Sequence, residues 1–162
     1  MLACRVHRPL RRRPSRRLAS RNVSRRADEK HIAITPSAIP YDVMTLEQIE
    51  IVELAGGRAA DSSHAPSCEL PTHLVVYRAQ GRRRHRSHAL AVRDDAFGAA
   101  QAAAAIIDET MVHFGGTVGV TDYAFTGTEA VGENVVRALG DRTAVLANHG
   151  NVCIGSGPES RI

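Results

Sequence analysis

The sequence has no tryptophan and only 4% aromatic residues, none of which lies within its two arginine-rich stretches. Base stacking on aromatic side chains, a regular partner of basic grooves for single-stranded nucleic acid, is therefore missing from both. Cysteine is equally sparse. Cys4, Cys68 and Cys153 are an odd number with no paired spacing. That argues against a disulfide scaffold or a zinc ribbon and suits a reducing, cytoplasmic compartment. No apolar run approaches the ~18 residues of a membrane span, so no membrane partner is expected.

What is present is a chain of 162 residues, 43% hydrophobic, with room for one domain and a core of useful size. The net charge of +4 averages two unlike kinds of sequence. Residues 1–26 hold ten arginines and no acid, and residues 82–93 hold five more, again with no acid. The remainder carries six basic residues against all seventeen acids, a balance of −11. An acidic body thus has two arginine-rich pieces set into it. Arg11–Arg17 and Arg82–Arg86 offer phosphate contacts for a nucleic acid, but no binding motif accompanies them, and charge runs are more often solvated or disordered. The first piece also has the composition of a transit peptide.

From Ala27 onward the chain follows ordinary structural grammar. His31–Ile34 is a short β-prone run stopped by Thr35-Pro36-Ser37. Thr45 and Gln48 make a capping box for one helical turn. Ile49–Leu54 alternates as a strand and ends at Gly56-Gly57. Ser67 can cap a helix over Cys68–Ala79, with Leu70, Leu74 and Tyr77 on one face and Pro71 in its tolerant first turn. Ala99–Ile107 is helix-prone. Thr128 opens a further helix with Val131, Val135, Val136 and Leu139 together, Arg137 in its last turn and Gly140 after it. Thr143–Ala147 and Val152–Ile154 read as buried strands around Asn148-His149-Gly150. Strands and helices mix in no strict alternation, which favours a layered α/β or α+β domain.

Six short motifs then stand in order. They are Asn22-Val23-Ser24, Ile34-Thr35-Pro36-Ser37-Ala38, Pro66-Ser67-Cys68-Glu69-Leu70-Pro71, Tyr123-Ala124, Gly127-Thr128-Glu129 and Ala147-Asn148-His149-Gly150. Together they resemble the class II aldolase/adducin family over residues 22–80 and 102–157. The resemblance implies an α/β fold of three layers around a central, mainly antiparallel sheet. It also implies a zinc-dependent aldehyde-lyase that cleaves a sugar phosphate through a metal-stabilised enediolate, assembled as a homo-oligomer, a tetramer in the family. A non-catalytic, adducin-like interaction domain is the alternative.

Carried over by position, Asn22, Ser37, Ser67 and Cys68 fall where the family contacts the substrate phosphate. Hydroxyls, amides and a helix N-terminus suit an anion. Two departures weaken the expected phosphate affinity: Ala38 stands for a usual glycine, and Cys68 for a usual serine or threonine. Glu69 falls at the acid/base position, a carboxylate able to shuttle a proton as a carbon–carbon bond breaks; by itself it would only favour its helix N-terminus. Tyr123 resembles a tyrosine that serves a neighbouring subunit's site, and otherwise reads as a half-buried aromatic. His149 resembles the third zinc ligand. His73, four residues after Glu69, reads as a packed helix histidine, and His31 and His113 as structural or exposed.

The family's His-x-His pair is missing, and so weak zinc binding and little activity are expected. In its place lies the second arginine-rich stretch, where His85 and His88 are spaced i, i+3. On a strand that spacing throws them to opposite faces. Permissible codons for residues 81–95, read one base later, give Asp-Val-Asp-Ala-Thr-Val-His-Thr-His-Ser-Pro-Tyr-Ala-Thr. This supplies the pair and points to a frameshift between about Gln80 and Ala100. Residues 1–21 are accordingly read as an arginine-rich segment, poorly ordered or out of frame. Residues 22–162 are read as the domain, short at its C-terminus.

Overall fold

A computed structural model describes residues 21–56, 63–80, 89–93, 119–138, 143–146 and 150–155. Within them lie seven strands, β1 (Arg21–Arg26), β2 (His31–Ile34), β3 (Glu50–Glu53), β4 (Ala89–Arg93), β5 (Gly119–Val120), β6 (Thr143–Leu146) and β7 (Gly150–Gly155). Among the described residues the helices are α1 (Leu70–Gln80) and α2 (Glu129–Ala138), with one 3-10 turn at Leu46–Gln48. The strands form one sheet in the order β3-β2-β1-β4-β7-β6-β5. Among the described strands only β5 and β6 pair in parallel. This is the α/β architecture around a mainly antiparallel sheet that the motifs imply.

Local chemistry accounts for most of these elements. β2 buries Ile32 and Ile34, and β3 presents Val52 opposite Ile32. The connection between β1 and β2 is closed by Asp28, whose carboxylate accepts the backbone N–H groups of Lys30 at 2.7 Å and His31 at 2.8 Å. The Lys30 N–H, and next the His31 ring, hold that carboxyl below its ordinary range. The capping box at Thr45 forms as expected. β1 was not expected as a strand. Its inward positions are Asn22 and Ser24, both polar, so it lacks an apolar alternation; pairing with β2 on one side and β4 on the other makes it a strand.

α1 begins at Leu70, two residues later than the capping pattern suggests. The Ser67 carbonyl accepts the Leu70 N–H at 3.0 Å, and the Ser67 hydroxyl accepts that of Glu69 at 3.3 Å. Leu74 and Tyr77 are buried as expected, whereas Leu70 is only partly so. Thr72, His73 and Val76 are buried too, because the helix is covered on more than one side. Ser24 on the sheet meets its His73 and Tyr77, and α2 meets its Thr72 and Val75. The approach of α2 is close. A Cβ on Gly132 would lie 2.6 Å from Val75 Cβ.

α2 carries Glu129 in its first turn and Arg137 in its last, complementing the helix dipole. Val131 and Val135 are buried, but Val136 is 36% exposed. One residue of helix turns the side chain by about 100°, which carries Val136 off the buried face. Arg78 ties three elements, donating to the Leu54 carbonyl at 2.6 Å and pairing with Glu129 at 3.2 Å. The core joins Ile32, Ile34 and Val52 to Leu74, Val135 and Val152 among others, each fully buried aliphatic contributing about 1.5–3 kcal/mol. The expected helix at Ala99–Ile107 lies outside the described residues, as do Leu139 and Cys4.

Candidate active site

The site is assembled around Thr35, at the end of β2. Its hydroxyl accepts the Val23 N–H at 3.1 Å, its own N–H donates to the Val23 carbonyl at 3.0 Å, and its carbonyl accepts the Ser67 N–H at 3.1 Å. One residue pair further on, Pro36 and Pro66 form an isolated β-bridge, and the Ser37 N–H donates to the Ala65 carbonyl at 2.8 Å. Segments 22–24, 35–38 and 65–69, far apart in sequence, are thereby laced together. These are the first three motifs of the sequence reading, and they carry Asn22, Ser37, Ser67, Cys68 and Glu69. Glu50 adds a tie from β3, its Oε1 accepting the His64 N–H at 2.7 Å.

Exposure differs among these residues in a way that suits a ligand. Ser37 and Cys68 are exposed, whereas Asn22, Ser67 and Glu69 are buried with little surface remaining. Glu69 is 3% exposed and accepts a hydrogen bond from the Thr72 hydroxyl at 3.4 Å. It precedes the first residue of α1, where the helix dipole favours negative charge. Ala38 has φ +62°, the left-handed region that favours glycine. The chain thus keeps a glycine backbone at the position where the resemblance expects glycine, but with an alanine in it.

Gly127 closes the other side. Its φ is +78°, and a Cβ there would lie 3.2 Å from the Cys68 carbonyl oxygen. The segment before it is anchored by the Asn134 side chain, which donates to the Asp122 carbonyl at 2.8 Å. Tyr123 sits on that segment and is 62% exposed; Phe125 is 67% exposed.

The sequence did not reveal that His73 and Tyr77 pack beneath Asn22 and Ser24. His73 is fully buried, with Nε2 2.5 Å from Asn22 Oδ1 and Nδ1 2.6 Å from Ser24 Oγ, and Ser24 Oγ is 3.2 Å from the Tyr77 hydroxyl. Burial lowers the His73 pKa to about 3. It is a packed helix histidine, as its place in the helix suggested. The available signal was the pairing of polar residues at i, i+2 on a strand with His and Tyr at i, i+4 on a helix.

His149, His85 and His88 lie outside the described residues. Across the sheet, Asn22 is level with Val92 and Val92 with Val152, so Gly150, the residue after His149, starts β7 near the Asn22 end of β1. Among the described residues no three His, Cys, Asp or Glu side chains gather as a metal would need. The described donors therefore do not make a zinc site.

A mainly antiparallel α/β sheet with a laced polar site at a helix N-terminus defines the class of this protein. The model of the class II aldolase and adducin N-terminal domain matches residues 3–160, and the chain belongs to that family. Among solved structures it is similar to an L-fuculose 1-phosphate aldolase, with 23% identity, TM-score 0.76, and coverage of 88% of this chain and 68% of that one. It is also similar to the L-fuculose-1-phosphate aldolase of Thermus thermophilus (22% identity, TM-score 0.69, 88% and 71% covered). A sugar-phosphate aldolase of Thermotoga maritima shares 14% identity at TM-score 0.70, with 87% and 77% covered. At these identities the likeness concerns the fold. No helix among the described residues is long and apolar enough to cross a membrane.

Proposed function

We propose that this domain binds a sugar phosphate and belongs, by chemistry, with the aldehyde-lyases. The observation that carries the reading is the lacing around Thr35 of the three segments that bear Asn22, Ser37, Ser67 and Cys68, with buried Glu69 at the same end of α1. In this reading the phosphate rests against the Asn22 amide, the Ser37 and Ser67 hydroxyls, the Cys68 thiol and the start of α1, where N–H groups and dipole favour an anion. Glu69, shielded from water, holds and moves the proton during cleavage of the neighbouring carbon–carbon bond. The Thr72 hydroxyl, 3.4 Å away, orients that carboxyl.

Tyr123 is exposed on its own domain. In this reading it serves the site of a neighbouring copy, in a homo-oligomer that is tetrameric as in the family. Zinc is the cofactor the family implies, with His149 as its ligand here. The sequence supplies no His-x-His pair beside it, so this chain holds zinc weakly and turns over slowly in a reducing, cytoplasmic setting. The same shortage of ligands supports a second reading, a non-catalytic adducin-like domain that keeps the fold for protein contacts.

The two readings separate in one assay. Incubation with L-fuculose 1-phosphate and added zinc, with aldehyde release followed over time, should give slow turnover that Glu69→Gln abolishes. Equal release by both proteins would dismiss Glu69, and no release with intact phosphate binding would favour the non-catalytic domain.

A further inference from the structure

Beneath Asn22 lie three buried polar side chains, Ser24, His73 and Tyr77, that the sugar-phosphate reading does not use. Asn22 and Ser24 project from one face of β1, and His73 and Tyr77 project from one face of α1 against them. We infer that His73 is a positioning residue for Asn22, holding the amide by its oxygen so that both N–H donors remain for an anion. This rests on the reading that Asn22 contacts phosphate.

Proton count decides which group donates at each contact. An amide oxygen only accepts, so the His73 nitrogen 2.5 Å from Asn22 Oδ1 carries the proton. The neutral ring then has a bare Nδ1, which accepts from the Ser24 hydroxyl at 2.6 Å. Ser24 has one proton and has given it to Nδ1. Its oxygen also lies 3.2 Å from the Tyr77 hydroxyl. Proton order therefore runs in one direction from Ser24 through His73 to Asn22. The ring is sealed from solvent, and burial keeps it neutral down to about pH 3, so neutral pH does not scramble the order. Among the described residues the Asn22 amide nitrogen has no acceptor. Without His73 the amide could turn over and present its oxygen, which an anion would repel.

The probe is inorganic phosphate, titrated calorimetrically into the full chain. His73→Leu should weaken binding about fivefold, the worth of one ordinary hydrogen bond. His73→Gln, whose amide can donate to the same oxygen, should recover most of the loss. In an Asn22→Ala background His73→Leu should cost nothing more. A loss of equal size with and without Asn22 would mean general damage and overturn the inference. If Asn22→Ala weakens binding but His73→Leu does not, the inference fails alone. If Asn22→Ala changes nothing, or the unmodified chain binds no phosphate, the phosphate reading fails and takes the inference with it. Should His73→Leu not fold, nitrogen NMR of the unmodified ring decides: a proton on Nε2 supports the assignment, and one on Nδ1 overturns it.

Discussion

Ala38 gives the cleanest quantitative test of the site's backbone. It is an exposed alanine at φ +62°, in a loop held by the Ser37 N–H to Ala65 carbonyl bond. A left-handed conformation costs an L-residue with a Cβ about 1–2 kcal/mol. Glycine escapes that cost but loses about 0.5–1 kcal/mol more chain entropy on folding than alanine. The difference leaves Ala38→Gly more stable by about 0.5–1 kcal/mol, since no packed contact changes at an exposed site. For a urea slope near 2 kcal/mol per molar, the unfolding midpoint should rise by roughly 0.3–0.5 M with the slope unchanged. Ala38→Val should move the midpoint the other way, because a β-branched residue tolerates positive φ least. Urea melts of the three proteins, followed by circular dichroism, make the comparison. A lower or unchanged midpoint for Ala38→Gly would refute the backbone argument.

Other outcomes follow from the packing and the buried ring. Stability should fall as pH drops below about 6.5, because the unfolded chain takes up a proton that native His73, at about 3, refuses; the slope from this group is about 1.4 kcal/mol per pH unit. Denaturant melts at pH 7 and pH 5 should show a smaller difference in His73→Gln than in the parent, and identical differences would contradict it. Gly132→Ala should lose about 1–3 kcal/mol by overpacking against Val75, outweighing the helix propensity it gains of about 1 kcal/mol; a raised thermal midpoint would show that the helices can part cheaply. Replacing residues 81–95 by Asp-Val-Asp-Ala-Thr-Val-His-Thr-His-Ser-Pro-Tyr-Ala-Thr-Thr should raise zinc content by elemental analysis, and equal content in both proteins would count against the reading of that segment.

Local sequence determined the elements whose signals are local. The capping box at Thr45, the alternation in β2 and β3, and the buried Leu74, Tyr77, Val131 and Val135 follow from propensity and periodicity, which neighbouring residues settle among themselves. The order of motifs also placed Asn22, Ser37, Ser67, Cys68 and Glu69 in one family pattern before any contact was visible. Three things required the tertiary structure. β1 is a strand because two neighbours supply its hydrogen bonds, although its inward residues are polar. Gly132 must be small because α2 crosses α1 at a separation that no single helix records. Asn22 acquires its orientation from His73, fifty-one residues away. That pairing depends on which strand lies under which helix, and chain packing alone decides it.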